Sequence, residues 1–187
     1  MHTPIAAAAL AAVLAAVPAL AADNSAMADA AGRFYTAHLA VPASGGVPEL
    51  KLLVKYTPFI TPALNTLLIE GAAAETRYEK ATKGQSPPLL EGDIFTSNFE
   101  GATTYKVGAC AANGKTGQCK VELVYDDSKT NPKDKPARWT DTAFLVLTGQ
   151  GWKIDDIGYG ASWDFANKGK LSGQLKWADA ESRRPVE

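Results

Sequence analysis

A pair of adjacent aspartates inside an otherwise apolar strand constrains the fold more than any other feature of this chain. Residues 139–147 and 152–159 have the β-branched and aromatic composition of strands, and the turn residues 149–151 join them. Strict alternation along the second strand would mix aspartate and isoleucine on both faces. A one-residue bulge at Asp155–Asp156 removes this conflict and bends the strand. It brings four apolar or aromatic side chains to one face: Trp152, Ile154, Ile157 and Tyr159.

The chain before this hairpin predicts three helices and two further strands. The first helix starts after the capping residues 23–25 and ends before Pro42. A second helix over 48–56 would place Leu50, Leu53 and Val54 on one face, and a third starts at Thr61-Pro62 and runs to about residue 83. The strands are predicted at about 103–110 and 118–125, and a last helix at 170–178.

This order of elements predicts an α+β fold. N-terminal helices would pack on a curved, cone-like antiparallel sheet of four or more strands, with a C-terminal helix after it. Residues 85–101 are irregular but rich in apolar side chains. We therefore expect them to lie against the core and to form one rim of a pocket.

The N-terminal segment has the pattern of a secretory signal. Residues 1–21 contain no charged side chain apart from His2, and an Ala, Leu and Val-rich run precedes Ala19-Leu20-Ala21. This small-x-small pattern predicts cleavage near Ala21 and export to the periplasm or the medium. Cleavage leaves a single domain, residues 22–187, with its core at about 30–178. No cysteine near the cleavage site offers a thiol for lipid attachment, so we expect no stable membrane anchor.

The charge of the chain bears on its partners. The formal net charge is -1, with both signs interspersed. Binding to phosphate backbones needs a basic face, so nucleic acid is excluded as an expected partner. We find no phosphate loop, no nucleophile elbow and no metalloprotease motif, and we predict no cofactor and no metal.

The two cysteines, Cys110 and Cys119, flank a turn built around Asn113-Gly114. If the chain is exported, both enter an oxidising compartment. We therefore predict a disulfide that links the two flanking strands. Their spacing is wider than that of a redox-active Cys-x-x-Cys pair, and no other Cys or His is near enough in sequence to suggest zinc.

Four segments, taken in order, resemble a bacterial cell-envelope family called domain of unknown function 3828. They are residues 90–97 (LEGDIFTS), 139–142 (WTDT), 152–159 (WKIDDIGY) and 167–171 (NKGKL). The resemblance covers about residues 34–175. It implies a fold similar to nuclear transport factor two, in which a curved sheet and helices often enclose a pocket, and it implies no particular activity. Some members look like lipoproteins, from which this chain differs by lacking the lipid-bearing cysteine.

The residues considered for a ligand site are carboxylates and aromatic side chains near the predicted pocket. A carboxylate turned into an apolar concavity would have a raised pKa and could serve as a general base or as a hydrogen-bonding anchor. The alternative for each is a structural role in a bulge, a turn or the core. The candidates are Asp93, Trp139, Asp141, Asp155, Asp156 and Tyr159.

His38 is the one histidine of the predicted mature chain and lies near the end of the first helix. A cation is favourable at a helix C-terminus, so we interpret His38 as structural. Our preferred hypothesis for the whole chain is a periplasmic, non-enzymatic module that binds a small ligand or an envelope protein. The alternatives are a small-molecule enzyme that uses a pocket carboxylate as general base, and a periplasmic immunity or inhibitor protein.

Overall fold

The computed structural model describes residues 16–41 and 45–185 and shows an α+β fold with a four-stranded antiparallel sheet. The predicted fold class is confirmed, including the C-terminal helix. A cone-like outline of the sheet remains a prediction. The elements are α1 (Ala16–Leu39), α2 (Leu50–Leu53), α3 (Pro62–Thr82), β1 (Thr104–Asn113), β2 (Thr116–Tyr125), β3 (Ala137–Thr148), β4 (Gly151–Gly158) and α4 (Leu171–Glu181).

Helix α1 begins upstream of the predicted capping residues 23–25. The Ala- and Leu-rich residues before Asp23 have high helix propensity, so the helix continues through the predicted cap. Most of the predicted secretory signal, residues 1–15, lies outside the described residues. Among the residues that the structure describes, no helix is long and apolar enough to cross a membrane.

Helix α2 is shorter than predicted and does not have the predicted apolar face. It ends at Leu53, and the chain continues in turns to residue 59. Leu53 is buried, whereas Leu50 and Val54 are 59% and 70% exposed. The single helical turn therefore buries one of the three predicted apolar side chains and leaves the other two exposed.

Helix α3 follows the prediction closely. Thr61 caps its N-terminus by accepting a hydrogen bond from the Leu64 backbone nitrogen, and Pro62 occupies the first turn. Gly71 lies where α3 approaches α4, since a Cβ added there would come within 2.7 Å of Leu175 Cδ2. Arg77 on α3 donates a hydrogen bond to Asp179 on α4, which joins the two helices at their exposed side.

The strands form a simple meander in the order β1-β2-β3-β4. Leu145 pairs with Ile154 and Phe144 with Asp156, so the ladder skips Asp155. The predicted bulge is confirmed. It allows Ile154 and Ile157 to be fully buried although they are three residues apart.

A second bulge lies in β1, between Val107 and Cys110. Beyond it, Cys110 and Cys119 are paired across β1 and β2 and form the predicted disulfide, with their Cα atoms 4.0 Å apart. The disulfide therefore links two strands that are already hydrogen-bonded. It closes the end of the hairpin near the Asn113-Gly114 turn.

The outer edge of β4 is covered by the segment before α3. The Ile154 nitrogen donates to the Phe59 oxygen at 2.9 Å, and the Thr61 nitrogen donates to the Ile154 oxygen at 2.8 Å. The core lies between the helices and the sheet and consists mainly of apolar side chains. Its largest fully buried members include Phe34, Tyr35, Tyr56, Leu64, Leu68, Phe95, Leu123, Leu145 and Ile154.

Candidate functional site

The most distinctive polar cluster within the described residues joins His38, Tyr56 and Asp93. His38 lies in the last turn of α1, Tyr56 in the turns after α2, and Asp93 in the loop between α3 and β1. His38 Nε2 is 2.7 Å from Asp93 Oδ2, and His38 Nδ1 is 3.1 Å from the Tyr56 hydroxyl. A neutral ring protonated on Nε2 satisfies both contacts: it donates to the carboxylate and accepts from the phenol.

The loop that carries Asp93 is held by several backbone contacts. The Asp93 nitrogen donates to the Phe99 oxygen at 2.8 Å, and the Phe95 nitrogen donates to Asp93 Oδ1 at 2.7 Å. The Asn167 side chain donates to the Asp93 carbonyl at 2.8 Å. Asp93 is therefore oriented before any ligand arrives, which is what a binding or catalytic carboxylate requires.

Glycine allows the chain to pass close to this carboxylate. Gly101 has a φ of 80°, and a Cβ there would be 2.8 Å from Asp93 Oδ2. Gly92, with a φ of 65°, is covered so closely by Phe99 that a Cβ there would collide with the Phe99 oxygen. Only glycine fits such positions without strain.

The cluster opens into a cavity of about 280 Å3. Gly46 closes one side of it through a hydrogen bond from its nitrogen to the Gly92 oxygen. The remaining wall is mostly apolar, with the exposed Glu100 as a further carboxylate. Its apolar residues include Leu39, Val41, Pro48, Ile94, Phe95 and Ala102.

The polar groups of the cluster are largely shielded from water. The side chains of His38 and Asp93 are only 12% and 7% exposed. Burial raises the pKa of Tyr56 to about 12, and the charge of Asp93 adds to this effect. The Tyr56 phenol is therefore protonated at neutral pH and acts as a hydrogen-bond donor.

Two phenols deeper in the core experience the same negative charges. Burial, followed by the charges of Asp141 and Asp93, raises the pKa of Tyr35 well above its ordinary value. Burial and the charge of Asp93 likewise raise the pKa of Tyr159. Both phenols are therefore protonated at neutral pH.

Asp141 and Trp139, both predicted ligand candidates, form a buried network behind the loop of Asp93. Asp141 Oδ2 accepts hydrogen bonds from the Ser97 nitrogen at 2.8 Å and from Trp139 Nε1 at 3.0 Å. Its Oδ1 accepts from the Ser97 hydroxyl and, at 2.9 Å, from the Gly160 nitrogen. Burial nevertheless raises the pKa of Asp141 above its usual range. The network fastens the loop to β3, and neither Asp141 nor Trp139 lines the cavity.

Tyr159 contributes to the same fastening. Its hydroxyl donates to the Ile94 oxygen at 2.6 Å, directly beside Asp93 in the chain. This contact is made with backbone rather than with the cavity. Tyr159 therefore supports the site from behind.

The paired aspartates point to two separate helix ends rather than to the cavity. Asp155 Oδ1 accepts a hydrogen bond from the Thr61 hydroxyl at 2.7 Å, next to the start of α3. Asp156 accepts from the Ser172 nitrogen at 3.0 Å and from the Ser172 hydroxyl at 2.7 Å, at the start of α4. A carboxylate is favourable at each helix N-terminus. Both aspartates therefore make structural hydrogen bonds at helix ends, and neither lines the cavity.

Among the predicted site residues, Asp93 is the one that the structure brings to the cavity. Sequence reasoning missed His38 and Tyr56 as its partners. The presence of a single histidine in the predicted mature chain was the available signal, but its partners are 18 and 55 residues away. No local spacing rule connects residues at such separations.

Comparison with known proteins identifies no relative of this chain. The chain matches no protein-family model, no curated protein and no solved structure. Within residues 16–41 and 45–185, no group of three or more His, Cys, Asp or Glu side chains is arranged to hold a metal ion.

Proposed function

We propose that this protein is a secreted, periplasmic binding module that holds a small ligand in the cavity at His38, Tyr56 and Asp93 without converting it chemically. The proposed export rests on the signal-like pattern of residues 1–21. Membership of the envelope family that the sequence resembles is likewise a proposal. Its support is the order of the four motifs along the chain.

The observation that carries the proposal is the combination of a preorganised polar cluster with a mostly apolar cavity. Such a combination is typical of small-molecule sites, where a few fixed polar groups orient a ligand and apolar walls supply most of the contact. The cluster spans three segments whose positions are fixed by hydrogen bonds. Ligand binding would therefore require little ordering of the protein, which favours affinity.

A thermal-shift screen of the mature protein against small metabolites and cell-wall fragments tests this proposal. We expect at least one compound class to raise the melting temperature, because a ligand that binds only the folded state stabilises it. The Ala102→Trp variant places a large ring at the cavity wall and should abolish the shift. The Ala102→Ser variant changes the same position without filling the cavity and should retain it.

Three outcomes would count against the proposal. One is a correctly folded mature protein that is stabilised by no compound and carries no co-purified small molecule in native mass spectrometry. Another is a shift that survives unchanged in Ala102→Trp, because the ligand would then bind elsewhere. A protein that captures an envelope protein while its cavity stays empty would also count against a small-ligand function.

A second candidate function, acid–base catalysis, is favoured by one specific observation. His38 is hydrogen-bonded to a carboxylate on one side and to a hydroxyl on the other, which is the arrangement by which enzymes orient an imidazole base. The raised pKa of Tyr56, about 12, keeps this phenol protonated, so that it acts as a hydrogen-bond donor rather than as a nucleophile. Chemistry would then consist of proton transfer between His38, the Tyr56 phenol and a ligand.

Incubation of a metabolite mixture with the protein, followed by mass spectrometry, separates the two functions. Binding alone predicts that the mixture is unchanged by the wild-type protein. Catalysis predicts a product that appears with the wild-type protein and disappears with His38→Gln. Appearance of such a product would replace the binding proposal with the catalytic one.

A further inference from the structure

We propose that the ligand of this cavity is a small organic cation, with an ammonium group held beside Asp93 and Glu100 and an apolar portion against Ile94 and Phe95. This inference rests on the proposed binding function and specifies its ligand class. Three observations carry it: the charges of the wall, the aromatic rings in it, and its size.

The wall charges are the first observation. The cavity has two carboxylates, Asp93 and Glu100, and no Lys or Arg among the described residues that line it. When His38 is neutral, these two carboxylates give the cavity wall a formal charge of -2. Protonation of His38 would still leave one net negative charge. An anionic ligand would meet repulsion in either state, whereas a cation would be attracted.

Asp93 also has acceptor capacity left for a ligand. A carboxylate offers about four acceptor positions. Two are taken, one by His38 Nε2 and one by the Phe95 nitrogen. Gly101 packs against Oδ2 without a side chain, and its chain neighbour Glu100 is an exposed residue of the cavity wall. An ammonium group has three donors and can fill the remaining acceptor positions of Asp93.

Aromatic rings are the second observation. Tyr56 and Phe95 both line the cavity, and their ring centroids are 4.8 Å apart. The His38 ring lies 5.1 Å from that of Phe95. Aromatic faces attract cations through their quadrupole, and proteins use aromatic rings to recognise quaternary ammonium ligands. Neither the aromatic faces nor the carboxylates would favour a neutral or anionic ligand of the same shape.

The size of the cavity limits the ligand. A volume of about 280 Å3 lies just below the range of sites for drug-sized molecules. We therefore expect an amine with roughly ten non-hydrogen atoms, judged against such sites. Large polyamines and peptides would extend into solvent.

The experiment compares four probes of one shape and different charge, by calorimetry or NMR titration of the mature protein. These are benzylamine, benzyltrimethylammonium, benzyl alcohol and benzoate. We expect benzylamine to bind about tenfold more tightly than benzyl alcohol and benzoate to bind most weakly, as charge complementarity requires. Raising the ionic strength should reduce this preference, because salt screens the rim charge.

Two cavity variants and one control variant locate the preference. Glu100→Gln should weaken the binding of benzylamine about three- to fivefold, because a solvent-exposed ion pair contributes little free energy. It should leave the binding of benzyl alcohol unchanged. Glu91→Gln removes an exposed carboxylate outside the cavity and should alter neither probe. Asp93→Asn should cause a larger loss of benzylamine binding. Because Asp93 also orients His38, its folding must be checked, and Glu100→Gln keeps the test decisive if Asp93→Asn does not fold.

The outcomes separate this inference from the function on which it rests. Equal or stronger binding of benzyl alcohol or benzoate would overturn the cation preference, while cavity binding would stand. Benzylamine binding that is insensitive to Glu100→Gln but lost with Glu91→Gln would also overturn it. Failure of all four probes, together with a negative metabolite screen, would overturn the binding function itself.

Discussion

Asp141 shows how a single buried carboxylate holds the site in place. It accepts four hydrogen bonds, from Ser97 twice, from Trp139 and from Gly160. Ser97 belongs to the loop that carries Asp93. The position of the proposed ligand-binding carboxylate therefore depends on a second carboxylate that does not contact the cavity.

We expect Asp141→Asn to lower the free energy of unfolding by about 1 to 3 kcal/mol, because the amide NH2 would replace one acceptor oxygen and leave at least one buried N–H donor unpaired. Urea unfolding at neutral pH measures this loss. Asp126→Asn, a change at an exposed aspartate, is the matched control and should alter stability little. A loss no larger than that of the control would contradict the structural role of Asp141.

The pH dependence of the free energy of unfolding of wild type and of Asp141→Asn tests the raised pKa of Asp141. A carboxyl whose pKa is higher in the folded than in the unfolded state binds its proton first in the folded state. The stability that this difference in pKa gives to the folded state is fully present below the unfolded pKa, near 3.9. It is lost as pH rises through the pKa of the folded state. The stability gap between wild type and Asp141→Asn should therefore widen as pH falls from 7 towards 4. A narrowing gap would contradict the raised pKa.

At the scale of elements, Thr61 connects the start of α3 to the bulge of β4. Its hydroxyl accepts from the Leu64 nitrogen at 3.2 Å and donates to Asp155 at 2.7 Å. Its own nitrogen pairs with the Ile154 oxygen. The bulged strand thus forms hydrogen bonds with the N-terminus of α3, which explains why an aspartate is accommodated at this point of the strand.

Replacing Thr61 by Val preserves shape but removes the hydroxyl that caps α3. We expect a loss of about 1 to 2 kcal/mol in the free energy of unfolding, the range found for helix caps. Chemical denaturation followed by circular dichroism measures it. Thr61→Ser keeps the hydroxyl and should stay close to wild type, and an equal loss in both variants would argue against capping.

At the scale of the whole molecule, the cavity is assembled from segments that are distant in sequence. Its polar cluster takes one residue from the end of α1, one from the turns after α2 and one from the loop before β1. Helix α1 packs against that loop through Phe34, whose ring centroid lies 5.5 Å from that of the buried loop residue Phe95. The site therefore exists only in the folded chain.

Processing of the N-terminus is also a property of the whole chain. We expect the exported protein to begin at Ala22, because signal peptidase cleaves after a small-x-small pattern such as residues 19–21. Intact-mass measurement of the protein from a periplasmic fraction checks this. Ala21→Arg should block cleavage, whereas Ala22→Ser should be processed normally. Recovery of the uncut wild-type chain from the periplasm would contradict the prediction.

Local patterns in the sequence were enough for the class of the fold, most helix and strand positions, the disulfide and the bulge. Each of these depends on residues close together in the chain, such as Thr61-Pro62 at a helix start or Asp155-Asp156 in a strand. The upstream start of α1 and the shortness of α2 were not predicted, because helix propensity and tight turns compete with the capping signals there.

The directions of the polar side chains were decided by tertiary structure alone. Nothing in the sequence showed that Asp155 and Asp156 would face helix ends, or that Asp93 would meet His38 from 55 residues away. Secondary structure follows from local periodicity, which the sequence displays directly. A cavity and its charge depend on which distant segments pack together, and that is set by the burial of the whole core.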